Sequence, residues 1–475
     1  MADFVEPNAS EFDLSEFDWP EFDLSEFDFD AESVFDTEFF KGYDGRRLKA
    51  AIALFLLWFL TAILHIVSWG HELVLVVAGI MSIHALRVIF AAPPKPPVPL
   101  PSVQSVPADQ LAVTESWPHV SLLVAAKNEA QVIGQLVEAL LQLDYPQDRY
   151  DLWIIDDYST DATPEILDAL AAREHWVNVV HRGPDATGGK SGALNLVWPQ
   201  TKGDILAVFD ADAQVAADLL RHVVPMFDAA KDGQQTGAVQ VRKAIANDKI
   251  NFWTRGQKAE MALDCYMQER RIAVGGIGEL RGNGQFVRRS AIAQCGGWNE
   301  ETITDDLDLT IQLHLNQWNI GLLFTPAVGE EGVTSALALW HQRNRWAEGG
   351  FQRYLDYWRP LVKNRLGWGK SLDMIGFWII QYMLPLVALP DLIIALIRHQ
   401  MPVYGPITIM AVGMSAVGMF TTLRQAEKTS ILSAVVQTVR GSLYMLHWLV
   451  VIGTMAMRIS VRPKRLKWVK TVHGA

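Results

Sequence analysis

Two pairs of carboxylates follow short apolar runs in the middle of the chain. Asp210 and Asp212, separated by one residue, come directly after Ile205–Phe209, and an earlier pair ending in Asp157 comes directly after Leu152–Ile155. Side chains one residue apart beyond an extended strand point the same way. Carboxylate oxygens at that spacing suit Mg²⁺ or Mn²⁺ bound to a diphosphate. The spacing therefore predicts a metal–diphosphate site at Asp210 and Asp212.

Three more polar motifs could belong to the same site as Asp210 and Asp212. The stretch 304–308 reads Thr-Asp-Asp-Leu-Asp, and the stretch 342–346 reads Gln-Arg-Asn-Arg-Trp just before the chain becomes apolar again. A glycine-rich turn over 188–195 leads into a helix and resembles a phosphate cradle. It lacks the Gly-x-x-x-x-Gly-Lys-Ser/Thr spacing of a P-loop, so ATP chemistry is not indicated.

The elements that must position these groups alternate between strand and helix. Apolar runs predict strands at Val120–Ala126, Leu152–Ile155 and Ile205–Phe209, with helices at Ala130–Leu143 and Pro164–Arg173 between them. Such alternation predicts an α/β domain with a mostly parallel sheet. Ligands of these sheets bind beyond the carboxyl ends of the strands, which is where the acids cluster.

Together these motifs resemble the family 2 glycosyltransferases of the GT-A fold, the group that contains cellulose and hyaluronan synthases, over about residues 118–355. The resemblance implies a nucleotide-sugar site formed by Ala126, Lys127, Asn128, Glu129, Asp157, Lys190 and Asp210. It implies a metal ion, Mg²⁺ or Mn²⁺, held by Asp210 and Asp212. It also implies that Gln342, Arg345 and Trp346 clamp the diphosphate and the acceptor, and that Asp306 is the general base.

The base position departs from the family pattern. The family's Thr-Glu-Asp is here Thr304-Asp305-Asp306, so Asp305 and Asp308 remain rival carboxylates. In the implied reaction Asp306 removes the proton from an acceptor hydroxyl, which attacks the anomeric carbon opposite the nucleotide. The metal ion and Arg345 stabilise the charge on the leaving diphosphate. One displacement inverts the anomeric centre.

Apolar runs on both sides of the domain predict membrane helices. Ala50–Trp69 and Leu73–Ala91 each approach the ~20 residues needed to cross a bilayer, and the basic residues that flank them predict a hairpin with both ends in the cytoplasm. Ile375–Ile397, Pro402–Leu423 and Ile431–Met457 follow the domain. Three full spans there would place the basic C-terminus outside, so the first or the third is expected to be interfacial or re-entrant.

These features divide the chain into an acidic tail (1–45), a transmembrane hairpin (46–92), a proline-rich linker (93–118), a GT-A domain (119–358), and interfacial and transmembrane helices with a basic C-terminus (359–475). The first 40 residues contain 14 Asp and Glu and no Lys or Arg, which leaves 39 acidic against 41 basic residues elsewhere. Nucleic-acid binding is therefore not indicated. The tail repeats Glu-Phe-Asp every five residues and is predicted to be disordered, either as a spacer or as a docking segment for an unknown protein partner.

The number of apolar segments bears on the acceptor. Processive synthases build a channel from many helices, whereas about five segments favour a lipid drawn from the bilayer. The runs Val239–Ile245, Gly275–Arg289 and Trp340–Trp358 further resemble the cyanobacterial branch of the family that makes monoglucosyldiacylglycerol. That resemblance implies transfer of glucose from UDP-glucose to diacylglycerol. It also implies an integral membrane protein with a cytoplasmic catalytic domain, in the thylakoid or plasma membrane if the cell is cyanobacterial.

Within these runs, the residues placed on the acceptor side are Arg281, Gly282, Asn283, Gly284 and Gln285, together with Asp305. A structural loop is the alternative for residues 281–285. The amphipathic stretch Phe351–Leu366 would lie at the membrane interface near the acceptor, unless it is a packing helix.

Two other functions stay open. One is the processive synthesis and export of a β-linked polysaccharide. The other is a non-catalytic membrane scaffold, against which the acidic motifs, Lys190 and Arg345 argue.

Overall fold

The structure is a computed structural model that describes residues 42–105, 116–228, 230–231 and 234–461. Three of the predicted regions lie wholly or partly outside these ranges: the acidic tail up to residue 41, the part of the linker over 106–115, and the basic C-terminus over 462–475.

One mixed sheet forms the centre of the predicted GT-A domain, residues 119–358, which is called the catalytic part below. Its strands are β1 (Val120–Ala126), β2 (Tyr150–Asp156), β3 (Val177–His181), β4 (Ile205–Phe209), β5 (Ala230–Lys231), β6 (Gln234–Ile245), β7 (Gln285–Arg288) and β8 (Asn319–Glu330). The order is β3-β2-β1-β4-β7-β6-β5, with β8 also paired to β6. Strands β3, β2, β1 and β4 are parallel to one another, and β8 is parallel to β6. Strand β7 is antiparallel to both β4 and β6, and β5 is antiparallel to β6. The predicted α/β fold with a mostly parallel sheet is confirmed.

The helices of the described residues follow in chain order, with four short 3₁₀ turns omitted because they do not bear on the site. They are α1 (Gly42–Ile66), α2 (Gly70–Ile89), α3 (Ile133–Leu141), α4 (Thr163–Arg173), α5 (Gly189–Val197), α6 (Leu219–Val223), α7 (Phe252–Ala273), α8 (Arg289–Cys295), α9 (Asp305–Leu315), α10 (Ala336–Val362), α11 (Trp368–Trp378), α12 (Leu384–Arg398), α13 (Gly405–Glu427), α14 (Ile431–Met445) and α15 (His447–Val461). A π-helical segment, Ile379–Met383, joins α11 to α12.

Both faces of the sheet are covered, which explains why its central strands are almost continuously apolar. Val120, Leu122 and Val124 of β1 point to one buried cluster, and Leu123 points to a second cluster on the opposite face. All five residues of β4 are buried. The strands β2, β1 and β4 are in register at their carboxyl ends, where Ala126 pairs with Asp156 and Val124 pairs with Phe209. The residues just beyond these ends are therefore brought to one edge.

Five helical stretches of the described chain are long and apolar enough to cross a membrane, judged by length and composition. They are Gly45–Ile66, Gly70–Ile89, Trp368–Arg398, Gly405–Ala426 and Ile431–Val461. The third and fifth, which contain the two segments expected to be interfacial or re-entrant, each have 31 residues. Neither is a regular α-helix, because the third contains the π-helical segment and the fifth changes from α14 to α15 at Leu446.

Buried ion pairs fasten the membrane helices to the catalytic part. Arg271 at the end of α7 pairs with Asp373 of α11 at 2.9 Å, and each side chain is only 2% exposed. Arg46 of α1 pairs with Asp356 of α10. Since an unpaired buried charge is strongly destabilising, neither part can be removed without cost to the other.

Candidate active site

A cavity of about 800 Å³ lies at the carboxyl edge of β1, β2 and β4 and extends to the membrane helices. Most residues predicted for the site line it: Ala126, Lys127, Glu129, Asp157, Lys190, Asp210, Asp212, Gly282, Asp305, Asp306, Gln342, Arg345 and Trp346. Four predicted residues are absent from its described lining: Asn128, Asn283, Gly284 and Gln285. The order of the strands explains why the residues beyond β1, β2 and β4 lie close together, because β1 lies between β2 and β4.

The acids after β4 are held by opposite charge and by backbone groups. Lys190 at the start of α5 lies 2.5 Å from Asp210. Burial alone would raise the pKa of Asp210, but the ammonium of Lys190 outweighs it and the pKa is lowered. Asp212 accepts a hydrogen bond from the backbone N–H of Glu331 at 3.1 Å. Asp210 is thus ionised near neutral pH, and both carboxylates are held in a fixed orientation.

These two acids fit a divalent cation only together with a ligand. No group of three or more His, Cys, Asp or Glu that could hold a metal ion exists among the described residues. Mg²⁺ is commonly held by one or two carboxylates plus the phosphates of a substrate, and the charge of Asp210 and Asp212 meets that requirement. A nucleotide diphosphate would complete such a set.

Asp157, beyond β2, is fixed by two cations. Arg182 donates to its carboxylate at 2.5 Å, and Lys127 lies 3.6 Å away. Neighbouring Asn128 is turned away from the cavity. It has a positive φ of 57°, and its side-chain oxygen accepts from the backbone N–H of Thr160 at 2.7 Å. Asn128 therefore shapes the loop, and its place in the nucleotide-sugar site stays a prediction.

Asp305 and Asp306 occupy the first turn of α9. The backbone N–H of Leu307 donates to Asp306 at 2.8 Å, so the helix N-terminus orients this carboxylate. Burial raises the pKa of Asp306 to about 6, and the adjacent Asp305 adds to the effect. The pKa of Asp305 is also raised by burial. Its Oδ2 is buried without a hydrogen-bond partner among the described residues.

Asp308, the other rival carboxylate, is in the same turn of α9 but does not line the described cavity. It is 2% exposed. Its two oxygens accept hydrogen bonds from Asn299 at 3.1 Å, Tyr357 at 3.1 Å and Gln312 at 2.6 Å. Asp308 is therefore occupied in joining α9 to α10.

Helix α10 carries the Gln-x-x-Arg-Trp motif to the cavity. The guanidinium of Arg343 lies 4.0 Å from the ring centroid of Trp346, and the ammonium of Lys243 lies 5.2 Å from it. Arg343 is itself buried against Glu260. The two cations hold the indole ring of Trp346 in place. Since Arg345 directly precedes Trp346, the position of this turn of α10 is held as well.

Two adjacent glycines let α10 approach its neighbours on both sides. A Cβ at Gly349 would clash with the side chain of Thr304, the residue before α9. A Cβ at Gly350 would clash with the hydroxyl of Tyr382 in the π-helical segment. The helix with Arg345 therefore contacts both the helix with Asp306 and the membrane segment.

The first residues of the loop over 281–285 line the cavity, whereas Asn283 and Gln285 are buried. Gly282 has a φ of 81°, and an added Cβ there would lie 3.4 Å from an oxygen of Asp306. Asn283 and Gln285 are fully buried behind it. Asn283 accepts from the backbone N–H of Asp210 at 3.2 Å. Asn283 thus supports the Asp210 loop, and Gly282 lines the cavity. The acceptor role of Asn283, Gly284 and Gln285, which are outside the described lining, stays a prediction.

Several charged residues of the site were missed by the sequence reasoning. Glu279 is fully buried and pairs with Arg353 at 2.7 Å and Arg281 at 2.6 Å, and these guanidinium groups outweigh burial and lower its pKa. Lys243 pairs with Glu330 at 2.9 Å. Arg353, Lys243 and Glu330 line the cavity. Among the missed residues, only Arg182 could have been found from the sequence, because it directly follows strand β3 and so lies at the same edge of the sheet as the acids.

Comparisons with known sequences agree with this arrangement. The family model described as "Glycosyl transferase family 2" matches residues 121–296. The β-monoglucosyldiacylglycerol synthase of Nostoc sp. is 57% identical over 437 residues, covering 91% of this chain and 90% of that protein. The β-monoglucosyldiacylglycerol synthase of Synechocystis sp. is 52% identical over 452 residues, covering 94% of this chain and 92% of that protein.

A solved structure has a similar fold. The mannosyltransferase PcManGT from Pyrobaculum calidifontis, solved in complex with GDP-Man and Mn²⁺, superposes with a TM-score of 0.51 at 18% identity. The match covers 82% of this chain and 99% of that one. At this identity the likeness concerns the fold, which is the GT-A type.

Proposed function

Since the chain belongs to the β-monoglucosyldiacylglycerol synthases of glycosyl transferase family 2, we propose that it transfers glucose from UDP-glucose to diacylglycerol with inversion. One observation carries this proposal: a single cavity joins the acids Asp210, Asp212 and Asp306 to membrane helices. A lipid hydroxyl and a water-soluble sugar donor can meet only in such a place.

The donor occupies the edge of the sheet. Ala126, Lys127 and Glu129 beyond β1 and Asp157 beyond β2 line the part of the cavity proposed for the uridine. Asp157, held by Arg182 and Lys127, is a fixed acceptor for donor groups of the nucleotide. Lys190 and Arg345 supply positive charge for the diphosphate.

The diphosphate is also the proposed partner of a metal ion at Asp210 and Asp212. A divalent cation there, Mg²⁺ or Mn²⁺, would neutralise charge that develops on the leaving diphosphate. The guanidinium of Arg345 would add positive charge to that of the metal ion, and it is attracted by the carboxylate of Asp210. Lys190 keeps Asp210 ionised.

Asp306 is the proposed general base. It lines the cavity, it is oriented by the N–H of Leu307, and its raised pKa makes it a stronger base than an ordinary carboxylate. It takes the proton of the acceptor hydroxyl as that oxygen bonds to the anomeric carbon, and the bond to the diphosphate breaks. An α-linked donor then gives a β-linked glycolipid.

The acid limb of the pH profile tests this assignment. A base must be deprotonated to act, so kcat/KM is expected to rise as pH increases through about 6 and to level off above it. Initial rates at subsaturating donor between pH 4.5 and pH 8 would measure the profile. A kcat/KM that is flat or falls between pH 5 and pH 7 would contradict it.

The acceptor side lies toward the bilayer. Phe377, Gln381 and Tyr382 at the α11–α12 junction and Trp448 of α15 line the same cavity. These residues belong to two of the helical stretches that are long enough to span a membrane. A lipid can therefore present its hydroxyl to Asp306 from the membrane side.

We propose that the catalytic part faces the cytoplasm, where nucleotide sugars are made. The basic residues Arg46, Arg47 and Lys49 at the start of α1 support that orientation. In a cyanobacterial cell the membrane would be the thylakoid or the plasma membrane.

Incubation of the purified full-length protein with labelled UDP-glucose, diacylglycerol vesicles and MgCl₂ tests the function. The label is expected in a chloroform-soluble lipid from which a β-glucosidase, and not an α-glucosidase, releases glucose. Recovery of the label in a water-insoluble polymer would instead support processive polysaccharide synthesis. An α-linked product would contradict the inverting mechanism.

A further inference from the structure

The side of the cavity formed by the membrane helices contains a short irregular segment of helix. The chain is helical from Trp368 to Arg398, but residues Ile379–Met383 form a π-helical segment. Proline at 385 has no N–H to donate to the carbonyl of Gln381, four residues earlier, and its ring would crowd that carbonyl. The backbone N–H of Leu384 instead bonds to the carbonyl of Ile379. The wider turn relieves the crowding, and such turns occur frequently at functional sites.

Gln381 occupies this segment with an unusual environment. Its side chain lines the active-site cavity, yet its carboxamide oxygen is buried and has no hydrogen-bond partner in the part of the chain that the structure describes. A buried polar group without a partner is costly, so this carboxamide is suited to a hydrogen bond with a ligand in the cavity. The neighbouring Tyr382 is packed against Phe351 and does not compete for the carboxamide.

The surroundings of Gln381 are held in place on the catalytic side. Lys370 in the first turn of α11 donates to Asn319 of β8 at 3.0 Å, and Asp373 one turn later pairs with Arg271. Phe377 lies under the guanidinium of Arg271 at 4.4 Å. A stretch of 31 helical residues is about 46 Å long, which exceeds the roughly 30 Å of hydrocarbon in a bilayer. Its beginning is therefore attached to the catalytic part, and Gln381 lines the cavity from a helical stretch that is long enough to span a membrane.

A carboxamide at this position matches one feature of the proposed acceptor. Diacylglycerol has one hydroxyl, which must face Asp306, and two ester carbonyls close to it, which can only accept hydrogen bonds. Rotation about the last side-chain bond exchanges the oxygen and nitrogen of a glutamine, so Gln381 can present its N–H groups to the cavity. Phe377 and Tyr382 on either side offer apolar contacts to the glycerol and the first methylenes.

We propose that Gln381 donates a hydrogen bond to an ester carbonyl of the lipid acceptor and so selects ester-linked glycerolipids. The inference rests on the proposed function and deepens it by naming the residue that recognises the lipid class. Gln381 is a specificity-determining residue and does not take part in proton transfer or in donor binding.

The test compares two acceptors that differ only in the carbonyl groups. A 1,2-diacylglycerol and the 1,2-dialkylglycerol of equal chain length share the hydroxyl and the apolar chains. For the wild-type protein kcat/KM is expected to favour the diacyl lipid. In Gln381→Met, which keeps the length of the side chain and removes both polar atoms, this preference is expected to fall about tenfold through loss of activity on the diacyl lipid.

Two further variants make the comparison specific. Gln381→Glu keeps polar oxygens but cannot donate when ionised, so it should lose the preference as well. Gln437→Met is the matched control, because Gln437 also lies in an apolar helix, bonds to Ser433 at 3.0 Å, and is outside the described cavity lining. Its preference should stay at the wild-type value. Calorimetric titration of each variant with UDP shows whether its donor site is folded.

The outcomes separate the two levels of the proposal. If the wild-type protein glucosylates diacylglycerol and Gln381→Met lowers kcat/KM equally for both lipids, the inference is overturned and the proposed function stands. An unchanged preference in Gln381→Glu would overturn the assigned donor role. A wild-type protein that glucosylates neither lipid would overturn the proposed function, and the inference with it.

Discussion

Replacement of Asp306 by Asn is expected to lower the turnover number for glucose transfer about 1,000-fold, within the roughly 10²–10⁴-fold contribution of a general base. Asparagine keeps the shape and can still accept the N–H of Leu307, so α9 should begin as before. The carboxamide cannot remove a proton from the acceptor. Steady-state rates at saturating donor and lipid measure the loss, and calorimetric titration with UDP is expected to give an unchanged Kd.

The neighbouring acids provide the controls for this variant. Asp305→Asn changes a carboxylate in the same cavity, and Asp308→Asn changes one that is bonded to Asn299, Tyr357 and Gln312 outside it. Asp305→Asn should keep the acid limb of the pH profile and shift it to lower pH, because Asp305 contributes to the raised pKa of Asp306. Asp308→Asn should lower the melting temperature and leave the turnover number close to the wild-type value. If Asp306→Asn retained the acid limb and Asp305→Asn lost it, the base would have to be reassigned to Asp305.

Asp210→Asn is expected to lower the turnover number roughly 100- to 1,000-fold, the range seen when a group that stabilises transition-state charge is removed. The variant loses one of the two carboxylates proposed for the cation, and Lys190 loses the partner 2.5 Å away. The rate should therefore need a higher concentration of Mg²⁺ or Mn²⁺ for half-saturation. Rates measured over a series of MgCl₂ and MnCl₂ concentrations after treatment with a chelator give that value.

Asp218→Asn is the matched control for the metal experiment. Asp218 lies at the start of α6 and pairs with His222, outside the described cavity lining. Its metal requirement should equal that of the wild-type protein. Full activity of chelator-treated wild-type protein would contradict the proposed cation.

The carboxyl edge of the sheet could be predicted because it depends on local pattern. Each of β1, β2 and β4 is a buried apolar run that ends at a polar residue, and parallel strands bring such ends together. Asp157 and Asp210 were found in this way, although neither is near the other in sequence. Asp306 and Arg345 were placed by their motifs, and the structure brings both to the same cavity.

Other parts of the site have no local pattern. Glu279 and Arg353 are 74 residues apart, and nothing near either one predicts that they pair in the interior. Asn283 and Gln285 lie beside Gly282 in the chain but are enclosed behind it, because a motif gives the order of residues and not the side to which each side chain turns. The π-helical segment depends on Pro385 together with the packing of Tyr382, so its position also required the structure.

The pair formed by Arg271 and Asp373 has a consequence for how the chain is made. Its two partners are separated by 102 residues, and Asp373 lies in a helix that enters the membrane after the catalytic part has been synthesised. While the ribosome is still translating that interval, the guanidinium of Arg271 has only the carboxylate of Glu279, 3.6 Å away, opposite it. The end of α7 therefore reaches its final packing, with both carboxylates opposite Arg271, only after α11 has been synthesised.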